Sequence, residues 1–166
     1  MALSDTLPVV HIDNTGTVSA DHVNAAPCVK VRWSWSAPIK TAAGYEISNL
    51  VDTWALIDTG ADYTLLSSAF FKGSGPAIQH VRMRGLGGSE TTSSHHITLM
   101  FPPCDMCVTA GAMRTDSIAR DSPYQMILGR HFLATTRFTY NGPAGISSLE
   151  LLSDDERSVI TATAHL

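Results

Sequence analysis

Ala55-Leu56-Ile57-Asp58-Thr59-Gly60-Ala61-Asp62-Tyr63-Thr64-Leu65-Leu66 is the stretch on which the reading of this chain turns. An apolar run delivers a carboxylate into a short turn, and a second apolar run leaves it. That pattern predicts strand, tight turn and strand, with Asp58 at the mouth of the turn. A half-buried carboxylate in such a place is costly unless neighbours stabilise it. Thr59 sets a hydroxyl beside it, and Gly60 removes a side chain where another backbone or a bound chain has to come close. The bare triplet Asp-Thr-Gly is equally compatible with an ordinary Asx turn. The flanking Leu-Ile, Ala-Asp and Thr-Leu-Leu are what set this copy apart.

Short extended segments surround it. Cys28 to Ser36 alternates Val29, Val31, Trp33 and Trp35 with Lys30, Arg32 and Ser34, the period-2 pattern of a half-buried strand. Further strands are expected at Val9 to Ile12, Asp52 to Asp58, Tyr63 to Leu66 and Met126 to Leu128. Thr41 to Gly44 reads as a turn, and Ser67 to Phe71 as one helical turn before Gly73-Ser74-Gly75-Pro76. Val81 to Arg84 and Ile97 to Phe101 are read as the arms of one hairpin around Gly85-Leu86-Gly87-Gly88. Arg137 to Tyr140 and Ile146 to Leu151 form a closing hairpin around Asn141 to Gly145. Many short strands, glycine turns and almost no helical periodicity predict an all-β domain, closed or sandwiched. The expected division is an N-terminal arm at 1–27, the domain at 28–152, and a tail at 153–166.

With 166 residues the chain is sized for one domain and too short for a two-lobed enzyme with two cores. Apolar residues make up 44% and charged residues 16%, which excludes a disordered chain. The net charge of −4 and the lack of a Lys/Arg run argue against nucleic acid or an anionic membrane as partner. No stretch approaches a membrane helix, and the opening residues lack the basic start and apolar block of a secretory signal. Three cysteines cannot build a disulfide framework, so a reducing, cytoplasmic setting is expected.

The Asp58 segment resembles the active-site motif of the retropepsin-like, retroviral-type aspartic proteases. Two further segments fit the same family in the same order. Gly85-Leu86-Gly87-Gly88 resembles its glycine-rich flap tip, and Ile127-Leu128-Gly129-Arg130 resembles its second signature. The stretch from Phe132 through the Phe138 to Pro143 hairpin looks like bacterial members of the group. The resemblance implies a closed β-barrel with a flap hairpin and little helix, active as a homodimer, cofactor-free and without a metal. It implies a peptide or protein substrate. It makes Asp58 the catalytic carboxylate, with Thr59 bonding across the dimer axis and Gly60 accepting the substrate backbone. Ala61, Asp62, Gly85, Leu86, Gly87 and Gly88 would bind substrate, and Ile127, Leu128, Gly129 and Arg130 would support the site. Arg130 would pair with Asp62. The sequence departs from the family at His131, where Asp or Asn is usual.

This chemistry needs two carboxylates, and the chain carries one such motif. Asp13-Asn14-Thr15-Gly16 is no second copy, because Asn14 interrupts the triplet and no apolar strand feeds it. The economical solution is a symmetric pair of chains, each supplying Asp58. A catalytically silent module of the same fold, used for dimerisation or peptide binding, is the alternative. The Arg137 to Leu151 hairpin is a candidate for the dimer surface.

Other residues admit different chemistry. Cys104-x-x-Cys107 with His95 or His96 is half of a zinc site, a thiol pair, or incidental. His11, His22, His80 and His165 are scattered and expected in solvent. Trp33, Trp35 and Trp54 are expected in core or interface packing, and Asp154 to Glu156 at a solvated helix start. Replacing Arg130 by Ala is expected to lower dimer stability more than the chemical rate. Melting temperature and solution mass, set against kcat, test that expectation.

Overall fold

Alternating β-branched and aromatic residues dominate the chain, and they form strands because one face of each can be buried while the other stays wet. The computed structural model describes residues 5–85, 88–102, 107–142 and 144–152. In chain order the strands are β1 (Asp5–Ile12), β2 (Ala26–Ser34), β3 (Ile39–Thr41), β4 (Gly44–Glu46), β5 (Val51–Ile57) and β6 (Thr64–Ser67). A 3-10 turn, Ser68–Phe70, follows. Then come β7 (Gln79–Gly85), β8 (Gly88–Met100), β9 (Cys107–Thr115), β10 (Met126–Leu128), one helical turn α1 (Arg130–Leu133), β11 (Thr136–Asn141) and β12 (Ile146–Leu151).

The main sheet runs β11-β12-β1-β2-β5-β10-β6-β9-β8-β7, and β8 pairs again with β2. That extra pairing sets Arg32, Trp33 and Ser34 opposite Met100, Leu99 and Thr98. It closes the strands from β2 through β8 into a barrel, pairing the stretches of β2 and β8 that β1 and β7 leave open. Inside it pack Val29, Val31, Trp33, Ala55, Ile57, Leu66, Ile97, Leu99, Phe101, Met126 and Leu128, all buried. Phe132 from α1 stacks on Phe101 with ring centroids 5.4 Å apart. The Trp33 ring meets Trp35 at 5.3 Å and Phe70 at 5.4 Å, edge to face, a favoured aromatic geometry. Trp33 and Trp35 are therefore packing residues.

Outside the barrel β1 serves two partners. Its first half, Asp5 to Pro8, pairs with β12, and its second half, Val9 to Ile12, pairs with β2. Pro8 sits at the changeover, where a missing N–H costs least. The strand is longer than the Val9 to Ile12 segment expected from sequence, because its first half is held by Leu149 and Leu151 of the closing hairpin.

One expected pairing changes, and two further features were not foreseen in full. Val81 to Arg84 does not pair with Ile97 to Phe101. β8 is long enough to pair with β7 at one end and with β9 and β2 at the other. β9 carries small residues, Thr109, Ala110, Gly111 and Ala112, whose alternation is too weak to read. The turn at Thr41 to Gly44 is the tip of a small two-stranded ribbon, β3–β4.

His11 is not in solvent. It is 4% exposed, and its Nδ1 lies 2.9 Å from His22 Nδ1. Its Nε2 lies 3.5 Å from the Ser147 hydroxyl. The His22 ring lies against Gly145, whose φ is +63° and where an added Cβ would stand 2.2 Å from His22 Nε2. Two imidazole nitrogens at this distance share one proton, since two N–H groups cannot face each other. Burial, and then the charge of His22, lower the His11 pKa from its ordinary 6.5. The fold therefore prefers neutral His11. Its contribution to stability is complete above about pH 6.5 and is lost as the pH falls through the lowered value. His11→Gln is expected to flatten the fall in melting temperature between that pH and the acid side. An unchanged slope in a pH series of thermal melts would refute this.

Candidate active site

β5 carries Leu56 and Ile57 through the sheet and releases the chain at Asp58. β6 starts at Thr64 and runs back, yet β5 and β6 do not pair. β10 lies between them, parallel to β5 with Leu128 beside Ile57, and antiparallel to β6 with Ile127 beside Leu65. A loop between strands two positions apart has to be broad. Its main-chain groups then need partners that neighbouring strands do not supply.

Those partners come from the end of β10 and the start of α1. Asp58 N–H donates to Leu128 O at 3.2 Å. Arg130 N–H donates to Ala61 O at 2.8 Å, and His131 N–H donates to Asp62 O at 2.9 Å. The first amides of a helical turn lack partners within it, and here the loop carbonyls accept from them. Gly129 makes the approach possible. A Cβ there would stand 2.3 Å from Tyr63 O and 2.8 Å from Ala61 O. Its φ of −90° is open to any residue, so space and not backbone conformation demands glycine.

Asp58 is half-buried, and Thr59 and Gly60 are exposed. Gly60 N–H donates to Asp58 Oδ1 at 2.8 Å, and Ala61 N–H donates to Asp58 O at 3.3 Å. A Cβ on Gly60 would come within 3.1 Å of Asp58 Oδ1 and push the carboxylate aside. Among the described residues no other donor reaches this carboxylate. It is oriented from one side and open on the other, the condition for a group that must touch water or substrate.

The remaining expected site residues fall in place as follows. Arg130 and Asp62 form an ion pair, with side chains 63% and 59% exposed. So exposed a pair contributes about 0–1 kcal/mol. Ile127 and Leu128 lie in β10 under the loop, and Ala61 borders it. Gly85 and Gly88 face each other at the end of the β7–β8 hairpin, with Gly88 at φ +117°. Leu86 and Gly87 between them lie outside the described residues. His131 packs its ring edge-on against Tyr63, centroids 4.7 Å apart. The sequence did not single out Tyr63. Its role is carried by a carbonyl and a ring contact that no local pattern announces.

Asp13 is different in kind. Its carboxylate accepts from the Thr15 hydroxyl at 2.6 Å, Thr15 N–H at 2.9 Å and Thr17 N–H at 3.0 Å. The Thr15 hydroxyl above all, then the Thr17 amide, hold its pKa below the usual carboxylate value. It is a turn-capping group with its capacity used. Cys104 lies outside the described residues. Burial raises the Cys107 thiol pKa, away from thiolate reactivity. His95 is 8% exposed and spends its ring nitrogens on Gly75 O and Ser93 Oγ, both at 2.8 Å. No group of three or more His, Cys, Asp or Glu suited to a metal occurs among the described residues. A cleft of about 540 Å³ opens beside Trp33, Trp35, Asn49, Phe70 and Lys72, near the start of β5 and away from Asp58. No carboxylate lines it.

No protein-family model matches the chain, and no curated protein matches its sequence significantly. Several solved structures are similar to it in part. One is the EIAV protease complexed with the inhibitor HBY-793, with 20% identity and a TM-score of 0.45 over 68% of this chain and 88% of that one. Another is the simian foamy virus (mac) protease, with 16% identity and a TM-score of 0.41 over 64% and 90%. A third is the foamy viral protease–reverse transcriptase in complex with RNA/DNA hybrid, with 15% identity and a TM-score of 0.42. It is matched over 63% of this chain and 11% of its own length. Among the described residues the fold is one mixed, closed sheet with almost no helix and a broad loop braced by an inserted strand.

Gly129→Ala is expected to cost about 3 kcal/mol, because backbone and not a flexible side chain occupies the space. Denaturant unfolding measures it, and a loss below about 0.5 kcal/mol, the scale of ordinary surface substitutions, would refute the clamp.

Proposed function

We propose that this chain is an aspartic endopeptidase that works as a homodimer, with one Asp58 from each subunit holding a water between them. The observation that carries the reading is the Asp58 carboxylate itself. It is oriented by Gly60 N–H and braced through main chain to Leu128, and its other side is open at an exposed loop. A lone carboxylate cannot serve as both acid and base on one water, and no second copy of the arrangement exists among the described residues.

The chemistry then follows. Two carboxyl groups that close share one proton, because both cannot easily be ionised together. The ionised member takes a proton from the water, whose oxygen attacks the peptide carbonyl carbon. The protonated member gives its proton to the carbonyl oxygen. As the carbon–nitrogen bond breaks, the leaving nitrogen takes a proton from the carboxyl that first accepted one, and a hydroxyl of the gem-diol returns its proton to the other carboxylate, which restores the shared proton. Thr59, exposed beside Asp58, would bond across the two-fold axis, and Gly60 would let the substrate main chain approach. The extended substrate would lie as an added strand, satisfied by main-chain bonds, with Ala61 and Asp62 along its path. The β7–β8 hairpin with Gly85, Leu86, Gly87 and Gly88 at its tip would cover it and exclude water. No cofactor or metal has a part in these steps. We place the enzyme in a reducing, cytoplasmic setting, as its cysteine usage suggests.

Asp58→Asn is the decisive variant. It is expected to keep the fold and the dimer and to lower peptide cleavage roughly 10³-fold or more, an effect of the size general acid–base catalysis supplies. The intact protein should show a bell-shaped pH–rate profile. Cleavage that survives in Asp58→Asn would end this reading. Tight peptide binding without turnover in the intact chain would favour a silent binding module.

A further inference from the structure

The cleft of about 540 Å³ beside Trp33 stands apart from Asp58 and does not depend on the endopeptidase reading. Three segments wall it: the end of β2, the residues that lead into β5, and the stretch around and after the 3-10 turn. These segments are tied to their surroundings and to one another. Trp35 Nε1–H donates to Phe70 O at 3.2 Å, and the Ser34 hydroxyl donates to Ser48 O at 2.5 Å. His95 Nδ1 lies 2.8 Å from Gly75 O. A space of this size between segments already joined has the dimensions of a preformed small-molecule site.

Two irregularities of the chain meet at this cleft. Trp33 lines it and is 1% exposed. Its Nε1 is the one buried side-chain nitrogen or oxygen among the described residues without a hydrogen-bond partner. An indole nitrogen only donates, so what it lacks is an acceptor. A buried donor left alone costs its full desolvation, and native folds keep few such groups. Asn49, exposed at the rim, is the one non-glycine residue among the described residues with a positive φ, +55°. Backbone held in that region clusters at ligand sites. The charge of the lining is also one-sided. Lys72 is its only ionised side chain, and none of the ion pairs among the described residues takes it. An ammonium, like the indole, donates and cannot accept. Trp35 and Phe70, both half-buried, give the wall its flat apolar surface.

We propose that this cleft binds a small aromatic carboxylate. One carboxylate oxygen accepts from Trp33 Nε1–H. Lys72, on its flexible stem at the rim, reaches over the same group. The ring lies against Trp35 and Phe70. A lining without carboxylates suits such a ligand, because a fixed negative charge there would repel it. A neutral aromatic molecule fills the walls and leaves the ammonium without its counter-charge. A small inorganic anion meets the donors and leaves the apolar walls wet. Only a ligand with both parts uses the whole site.

The test uses the full chain and 2-naphthoate as the probe. Calorimetry should give a Kd of about 1 mM or tighter, the scale for a ligand of this size. In nitrogen–proton correlation spectra the Trp33 indole N–H, assigned through Trp33→Phe, should move downfield as it gains an acceptor. Lys72→Gln, at an exposed position, should melt like the intact chain and bind 2-naphthoate roughly tenfold more weakly, as loss of a charge-assisted bond does. The neutral 2-naphthamide should bind the intact chain about as weakly as the acid binds that variant. Binding that ignores Lys72→Gln, or equal affinity for acid and amide, would overturn the proposal. So would inorganic phosphate binding as tightly as 2-naphthoate, or no binding of 2-naphthoate up to about 10 mM. A Trp33 indole N–H that lies upfield in the free chain and stays there on addition of the probe means that the donor is spent on a neighbouring ring face. That result would overturn the site as well.

Discussion

The contact between Gly129 and the carbonyls of Ala61 and Tyr63 is the constraint on which the rest depends. Two stretches far apart in sequence meet there through main chain alone. With any side chain at 129 the Asp58 loop would have to lift off β10. The bonds from Asp58 N–H to Leu128 and from Arg130 and His131 N–H to the loop would lengthen together. A loop braced this way depends little on the residues that decorate it, which is why the exposed Arg130–Asp62 ion pair adds only modestly to a geometry already set.

That brace follows from the sheet order. Because β10 enters between β5 and β6, the chain turning at Asp58 must span an intervening strand. A tight hairpin would bury its polar groups against itself. A spanning loop instead presents them outward, and Asp58 emerges half-buried with one oxygen fixed by Gly60 and the other side open. The opposing case in the same chain is Asp13, whose turn closes on itself and uses its carboxylate as a hydrogen-bond acceptor for Thr15 and Thr17. The same residue type is either a spent cap or an open carboxylate according to whether neighbouring amides use up its oxygens.

The barrel and its outer layer divide the labour. Closure through the β2–β8 pairing buries Trp33 and Leu99 and gives the Asp58 loop a rigid base. The outer layer of β1, β12 and β11 is hydrogen-bonded into the sheet through β1, which changes partner at Pro8. Leu7, Leu149 and Leu151 share the barrel's core, and buried His11 meets half-buried His22 at its side.

The sequence by itself determined the all-β class of the fold and the place of Asp58 at the end of an apolar strand. Period-2 alternation from Cys28 to Ser36 and the apolar runs around Asp58 are local patterns, and local patterns survive without tertiary information. Ile127-Leu128-Gly129-Arg130 was legible as support for the Asp58 loop only through its resemblance to the family's second signature. Only the tertiary structure decided that β8 serves three partners, that small-residue β9 is a strand at all, and that His11 is buried against His22. It alone showed Tyr63 offering its carbonyl to the space Gly129 leaves empty. Each of these depends on contacts between distant segments. Pairing, burial and close approach are properties of two stretches at once, and no single stretch encodes its partner.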